Sequence, residues 1–508
     1  MPPWNQGELP AAPQWNWRRA GALLGPGVVT AGAAIGGGEW LMGPVNTARY
    51  GGAILWVTTL SILGQVIYNM EICRYTLYTG EPIMTGKFRT FPGPTFWLIV
   101  YLGIDLGSLI PYQTASMATP VFALAEGTLP RPDLFPAQTS TLTLVGCGLI
   151  LLTALPLIVS GRIYRFMKAM MAVKVVVVFA FLLLLGVLYA SAETWTDIAT
   201  GFFKVGTVPV RSASGAPVLD NVFLSLFRGD GWPDIDPASI ASLAAYAAIA
   251  GIGGLKSSTT SNYTRDQGWG MGAAVGAIPS ILGAGRVQVS HVGTVFTPTV
   301  DSIVQWRGWL RHVTREQLCL FLMGSMIGVA LPAMLAVEFL PRGTEAGNWA
   351  MAGLTAGGIE ARVGGVQGRV FWYAFMACGL LVLLPNTTFD ADGTVRRWVD
   401  LAWTGSSRLR QWPPSHIGRF YFIVLVGYLA MGIGLSFVTT PRALIQIYGL
   451  IANFALGFSC FHTLAVNLTL LPPPLRPGWG RRALLAAAGL YFTLLTVITL
   501  ASYLGVLR

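Results

Sequence analysis

Apolar runs of about twenty residues recur along this whole chain, and that pattern constrains its fold more than any other feature. A helix needs roughly 20 apolar residues to cross a bilayer's hydrocarbon core. In lipid, only helices and closed barrels satisfy every backbone group. Of the 508 residues, 53% are hydrophobic and 11% charged, against about 25% charged in an ordinary soluble domain. The sequence predicts an all-α integral membrane protein with about eleven transmembrane helices. These are expected near residues 20–49, 52–78, 94–124, 139–160, 164–190, 238–266, 316–340, 368–388, 417–438, 443–470 and 482–506.

Lys and Arg concentrate at alternate connections, among them Arg18 and Arg19, Lys87 and Arg89, Arg307 and Arg311, and Arg481 and Arg482. The positive-inside rule then puts the N-terminus in the cytoplasm and the C-terminus outside, in a plasma (inner) membrane. Residues 1–19 read as a cytoplasmic tail. Residues 20–470 form the core, with an outer loop at 191–237 and an inner loop at 267–315. Residues 471–508 supply a last inner loop and the eleventh helix. Within the inner loop, "GWGMGAAVGAIPSILGAG" (268–285) reads as an interfacial helix. The net charge of +11 fits basic loops held at an anionic lipid surface rather than nucleic acid.

The five cysteines and four histidines are scattered without metal-ligand spacing, so no disulfide framework, zinc site or cofactor is expected. No nucleophile–base set or phosphate loop appears, which argues against an enzyme. The first twenty residues lack the apolar core of a removable signal peptide.

Two spans carry the same irregularity. "AAIGGGEW" (33–40) and "IAGIGGLKSS" (249–258) are apolar helices interrupted by glycines, each with a charge after the interruption. Each glycine costs about 1 kcal/mol relative to alanine in a helix interior. A carboxylate near the bilayer centre costs about 2.5 kcal/mol or more. Breaks at corresponding places in two halves point to a transporter built on an inverted repeat, with helices 1–5 and 6–10 as the halves. The freed backbone groups must face protein, water or a bound solute, so the two breaks are expected to meet near the midplane.

The stretch "GPGVVTAGAAIGGGEWLMGPVNTARYGGAILW" (25–56) resembles the first helix and following loop of the Nramp (natural resistance-associated macrophage protein) divalent-metal transporters. The resemblance continues through "RYTLYTG" (74–80), "GIDLGS" (103–108), "GRIYRFMKAMMAVKVVVVFAF" (161–181) and "TWTDIATGF" (194–202). It covers residues 20–265 well and the second half loosely. It implies a leucine-transporter-like 5+5 inverted repeat with broken helices 1 and 6, alternating access, and proton-coupled uptake of a divalent metal. The family's D-P-G-N falls on Gly36, Gly37, Gly38 and Glu39, so its metal-binding aspartate is glycine here. Its M-P-H-N falls on Gly253, Gly254, Leu255 and Lys256, which removes the soft thioether that favours transition metals. The chain thus resembles divergent Nramp-related proteins.

Candidate solute-binding residues are therefore Gly36, Gly37, Gly38, Glu39, Gly253, Gly254 and Lys256. Asn453 joins them because it lies near the family's metal-facing polar residue. Glu39 is the candidate metal ligand, or a proton-responsive gate, with a helix cap as its structural alternative. Lys256 opposes a divalent cation unless Glu39 neutralises it or it snorkels away. Asp105 falls on a proton-pathway carboxylate of the family, with Ser108 replacing its partner; pairing with Arg74 or Lys174 is the alternative. Glu71 and Arg74 have the spacing of a local i, i+3 pair. Arg265 and Asp266 are candidates for an inner gate. "DADG" (390–393) has only part of a calcium loop and is set aside.

The leading expectation is a secondary transporter taking up a divalent metal ion with protons. One alternative keeps the fold and moves a small organic carboxylate or amino acid, because half-helix N-termini suit an anion. Another is a non-transporting membrane sensor or scaffold.

Overall fold

The computed structural model describes residues 1–13, 26–159, 163–212, 217–276, 292–345, 347, 349–413 and 416–506. Gly25, Arg18, Arg19, Arg286, His291 and the second half of the expected interfacial helix, 277–285, lie outside them. Nine helices among the described residues are long and apolar enough to cross a bilayer, or ten when a bent pair counts as one span. The described part of the expected first span, 26–50, is too interrupted to count among them as one apolar helix.

That segment consists of α1 (Pro26–Ala33) and α2 (Gly43–Tyr50), joined by a π-helical turn at Gly38–Met42. Next come α3 (Trp56–Thr79) and the bent pair α4 (Pro94–Ile104) and α5 (Tyr112–Glu126). Helices α6 (Ala137–Val159) and α7 (Ile163–Tyr189) complete the first half. The second half opens with the broken span α8 (Pro237–Ile249) and α9 (Thr259–Asp266). Helix α10 (Val300–Glu316) then passes through a π-helical stretch into α11 (Met323–Phe339). The chain continues with α12 (Gly365–Gly405), α13 (Ile417–Ser436), α14 (Pro441–Thr469) and α15 (Trp479–Tyr503).

Local chemistry explains where the elements differ from expectation. The helix that carries the seventh span begins at Val300, upstream of the apolar run that starts near 316, because Thr299 and Ser302 form a reciprocal capping box there. The helix of the eighth span continues past the apolar run, which ends near 388, to Gly405. Its polar stretch "NTTFDADGTVRRW" stays helical because its charges are paired inside the protein rather than left to lipid. The α4–α5 bend of 45° falls at a 3-10 turn followed by Pro111, which has no N–H to continue the ladder.

Helix α7 shows how the spans are sorted between lipid and core. Val173, Val176, Val177, Leu183, Leu184, Val187 and Leu188 are exposed, whereas Met171, Lys174, Val178, Leu182 and Leu185 are fully buried. The second set recurs at three- and four-residue intervals, one face of a helix. Lys174 therefore points to the core. In the segment 191–237, short helices Ala192–Gly201 and Val222–Arg228 flank an antiparallel ribbon pairing Thr207 with Asn221 and Val210 with Val218. The tail is docked by a two-residue parallel pairing of Asn5–Gln6 with Thr294–Val295.

Candidate solute site at the paired helix breaks

Both expected breaks are present and adjacent. The first span leaves helical geometry at 34–36, slightly before the expected 36–38, and the sixth at 250–253. A Cβ on Gly38 would collide with the Ile249 carbonyl oxygen, so the two breaks touch. The triple glycine is needed on every side. A Cβ on Gly36 would meet Asn386 of α12, and one on Gly37 would lie 2.5 Å from the Tyr112 ring of α5. At the second break Gly251, Gly253 and Gly254 have φ of +83°, +73° and +54°, a region that L side chains avoid.

Glu39 is fully buried between the breaks. One carboxylate oxygen accepts the N–H of Gly36 at 2.9 Å, and the other accepts the N–H of Gly251 at 2.8 Å. A single carboxylate thus caps freed donors of both broken spans. Gln65 of α3 serves the rest of the second break. Its Oε1 accepts from Ile252 and Gly253, each at 3.0 Å, and its Nε2 donates to the Ala250 carbonyl at 2.7 Å.

Lys256 is buried and faces the interior, but its partner is Asp390 of α12 rather than Glu39. The Nζ–Oδ2 distance is 2.6 Å. The ammonium lies 4.6 Å from the Tyr448 ring centre and 5.4 Å from that of Tyr112, within cation–π range. Gln113 donates to the same Asp390 oxygen at 2.7 Å. Asp390 also lines a small cavity of about 20 Å³ with Gln113, Thr114, Thr153, Thr387 and Tyr428. Around this ion pair the Tyr448 hydroxyl and the Gln113 Oε1 are buried without a hydrogen-bond partner among the described residues. So is the Oδ1 of Asn453, whose amide donates to the Ala244 carbonyl at 3.0 Å. Buried polar atoms are rarely left unpaired in native proteins, so each such atom needs a reason.

Asp105 pairs with neither Arg74 nor Lys174. Arg397 of α12 donates Nε to Oδ2 and Nη2 to Oδ1, both at 2.9 Å. Ser108 and Trp398 add donors at 2.6 and 2.8 Å. The reason is register: α4 ends at Asp105 directly against the polar stretch of α12. Arg74 is instead engaged by Glu71, as their spacing predicts, at 2.7 Å. Arg265 and Asp266 join a chain of ion pairs that ties α9 to α12. Arg265 contacts Asp266 and Asp400, Asp266 contacts Arg396, and Arg396 contacts Asp392. Tyr421 of α13 donates to Asp392 at 2.9 Å. Among the described residues no three His, Cys, Asp or Glu side chains converge to hold a metal ion.

Among the participants that escape the sequence reading as site residues are Gln65, Lys174, Asn386 and Asp390. Lys174 carries a usable signal, being a lone charge inside the apolar run "AVKVVVVFAF".

No family model and no curated protein matches the chain. Among solved structures it is similar to the Eremococcus coleocola manganese transporter in a mutant form. That match has a TM-score of 0.60 and 13% identity over 99% of this chain and 91% of that one. It is also similar to Mhp1, a nucleobase-cation-symport-1 family transporter in a closed conformation with bromovinylhydantoin bound. There the TM-score is 0.52 and the identity 12%, over 96% and 91% of the two chains. The fold is therefore the leucine-transporter-like one, in an integral multi-pass membrane protein.

Proposed function

We propose that this chain is a secondary transporter that moves a small organic carboxylate by alternating access, through the space where the two breaks meet. The observation that carries this reading is Lys256, buried against Asp390 and two tyrosine faces beside the second break. An incoming carboxylate takes Lys256 as its counter-charge and the unpartnered Tyr448 hydroxyl as a donor. Asp390, released from its lysine, then takes a proton from the pocket it lines, which couples solute to protons. The ion-pair chain from Arg265 to Asp392 acts as the gate on one side. The N-inside orientation and the 20–470 transporter core belong to the same proposal.

The manganese of the Eremococcus neighbour and the Glu39 carboxylate favour a second reading, divalent metal uptake with protons. A +2 ion about 6 Å from an unpaired lysine is opposed by roughly 5 kcal/mol at an effective dielectric near 20. Metal must therefore bind without freeing Lys256 from Asp390. Uptake into proteoliposomes, comparing organic acids and amino acids with manganese, magnesium and iron, separates the readings. Saturable, proton-driven accumulation of an organic acid supports the first. Accumulation of a metal alone sinks it.

A further inference from the structure

A break leaves carbonyls as well as N–H groups without partners. In the first span the carbonyls are held from two other spans. The Gly32 oxygen, which also takes the Ile35 N–H at 3.2 Å, accepts from Lys174 Nζ of α7 at 2.8 Å. The Ala33 oxygen accepts from Asn386 Nδ2 of α12, also at 2.8 Å, and Asn386 Oδ1 in turn accepts from the Lys174 ammonium. Lys174 is fully buried, and among the described residues no carboxylate lies within ion-pair distance of it. It sits on the core face of α7, so its charge does not reach an interface.

A desolvated ammonium costs several kcal/mol unless its hydration is replaced. What replaces it here is a backbone carbonyl, an amide oxygen and the negative end of the α1 half-helix. Unwound carbonyls and half-helix C-terminal ends are also what hold a mobile sodium ion or proton in transporters with broken spans. We propose that Lys174 is the resident cation of this break. It ties α1 to α12 where an alkali ion would otherwise be needed, so the transport cycle runs without sodium or potassium bound there. Lys174 is a positioning residue, and with Glu39 the chain carries both ions of its first break. The proposal holds for either solute.

Thermal unfolding of the purified protein tests this without knowledge of the solute. Melting is followed in choline chloride at fixed ionic strength, with choline replaced stepwise by sodium, potassium or methylammonium. The wild type should melt at one temperature in all four salts. Lys174→Ala opens a carbonyl-lined gap and should melt lower in choline. Sodium or methylammonium should then raise its melting temperature saturably, by about 3 °C or more. Lys174→Gln keeps a hydrogen-bond donor without the charge and should show the same sodium response. It serves alone if the alanine variant does not fold. The assignment is overturned if Lys174→Gln melts like the wild type in every salt, if Lys174→Ala is indifferent to all cations, or if the wild type itself responds saturably to sodium.

Discussion

Glu39 and Gly251 lie 212 positions apart in sequence, yet a carboxylate oxygen of the first accepts the backbone N–H of the second at 2.8 Å. The other oxygen of Glu39 does the same for Gly36. Bound anions and substrates stabilise exposed N–H groups at broken helices in other transporters; here a side chain occupies that role in both halves at once. A group that clamps the two halves together at one stage of a cycle must release at least one of them at another. This makes Glu39 a candidate for motion as well as for binding.

Glu39→Gln can accept from only one of the two N–H groups, since its amide nitrogen faces the other as a donor. An unsatisfied buried donor costs about 1–3 kcal/mol. The variant should melt measurably below the wild type, and Glu39→Ala should melt lower still. Equal melting temperatures for all three proteins would mean that the carboxylate is not the clamp.

The Asp105–Arg397 pair is buried on both sides, each side chain being 1% exposed. Removing one member of such a pair strands the other charge and costs about 3–5 kcal/mol. Asp105→Asn and Arg397→Met should each destabilise strongly, and the double variant Asp105→Leu/Arg397→Met should recover much of the loss. A double-mutant cycle measures this coupling. If Asp105 serves a proton pathway instead, Asp105→Asn will melt like the wild type and alter only the pH dependence of uptake.

The positions of the spans and both breaks are legible in the sequence because they depend on local signals: apolar length, glycine runs and a charge beside them. What the side chains at the breaks pair with is not. Lys256 follows closely on the glycines that turn the chain, Gly251, Gly253 and Gly254. Its partner Asp390, however, lies 134 positions further on in another helix, and no local pattern links the two. The same holds for Gln65 at the second break and Asn386 at the first. The stretch 390–393 lacks the rest of a calcium loop, yet its carboxylates must still find cations in the interior. A charge in an apolar span signals that a partner exists, without naming it.

Lys87 offers a pH test outside the spans, in the short helix Ile83–Phe88. It is fully buried, hydrogen-bonded to Ser459 and 4.7 Å from the Tyr101 ring centre. Burial pushes its pKa down from 10.5 to about 7. Between those values the unfolded chain holds a proton that the folded protein has lost, so stability rises with pH across that window. The burial cost is fully present below pH 7. Lys87→Met should therefore gain most in melting temperature over the wild type near pH 6, and the gap should narrow by pH 9. A gap that is constant with pH would mean that Lys87 keeps its charge, held by the tyrosine faces.

Lys256→Met decides between the two solute classes, because the substitution acts on them with opposite signs. For an organic carboxylate it removes the counter-charge, and affinity should fall tenfold or more, which is about 1.4 kcal/mol. For a divalent metal it removes a repelling charge and frees Asp390 to act as a ligand, so affinity should hold or rise. Asp390 left without its lysine is itself a buried charge, so Lys256→Met/Asp390→Asn keeps the site neutral and controls for misfolding. Binding is measured by calorimetry on the purified variants, with organic acids and with manganese. Weaker carboxylate binding in Lys256→Met, with manganese unaffected, supports the organic-anion site. Loss of manganese binding in the same folded variant, with carboxylate binding unchanged, would sink it.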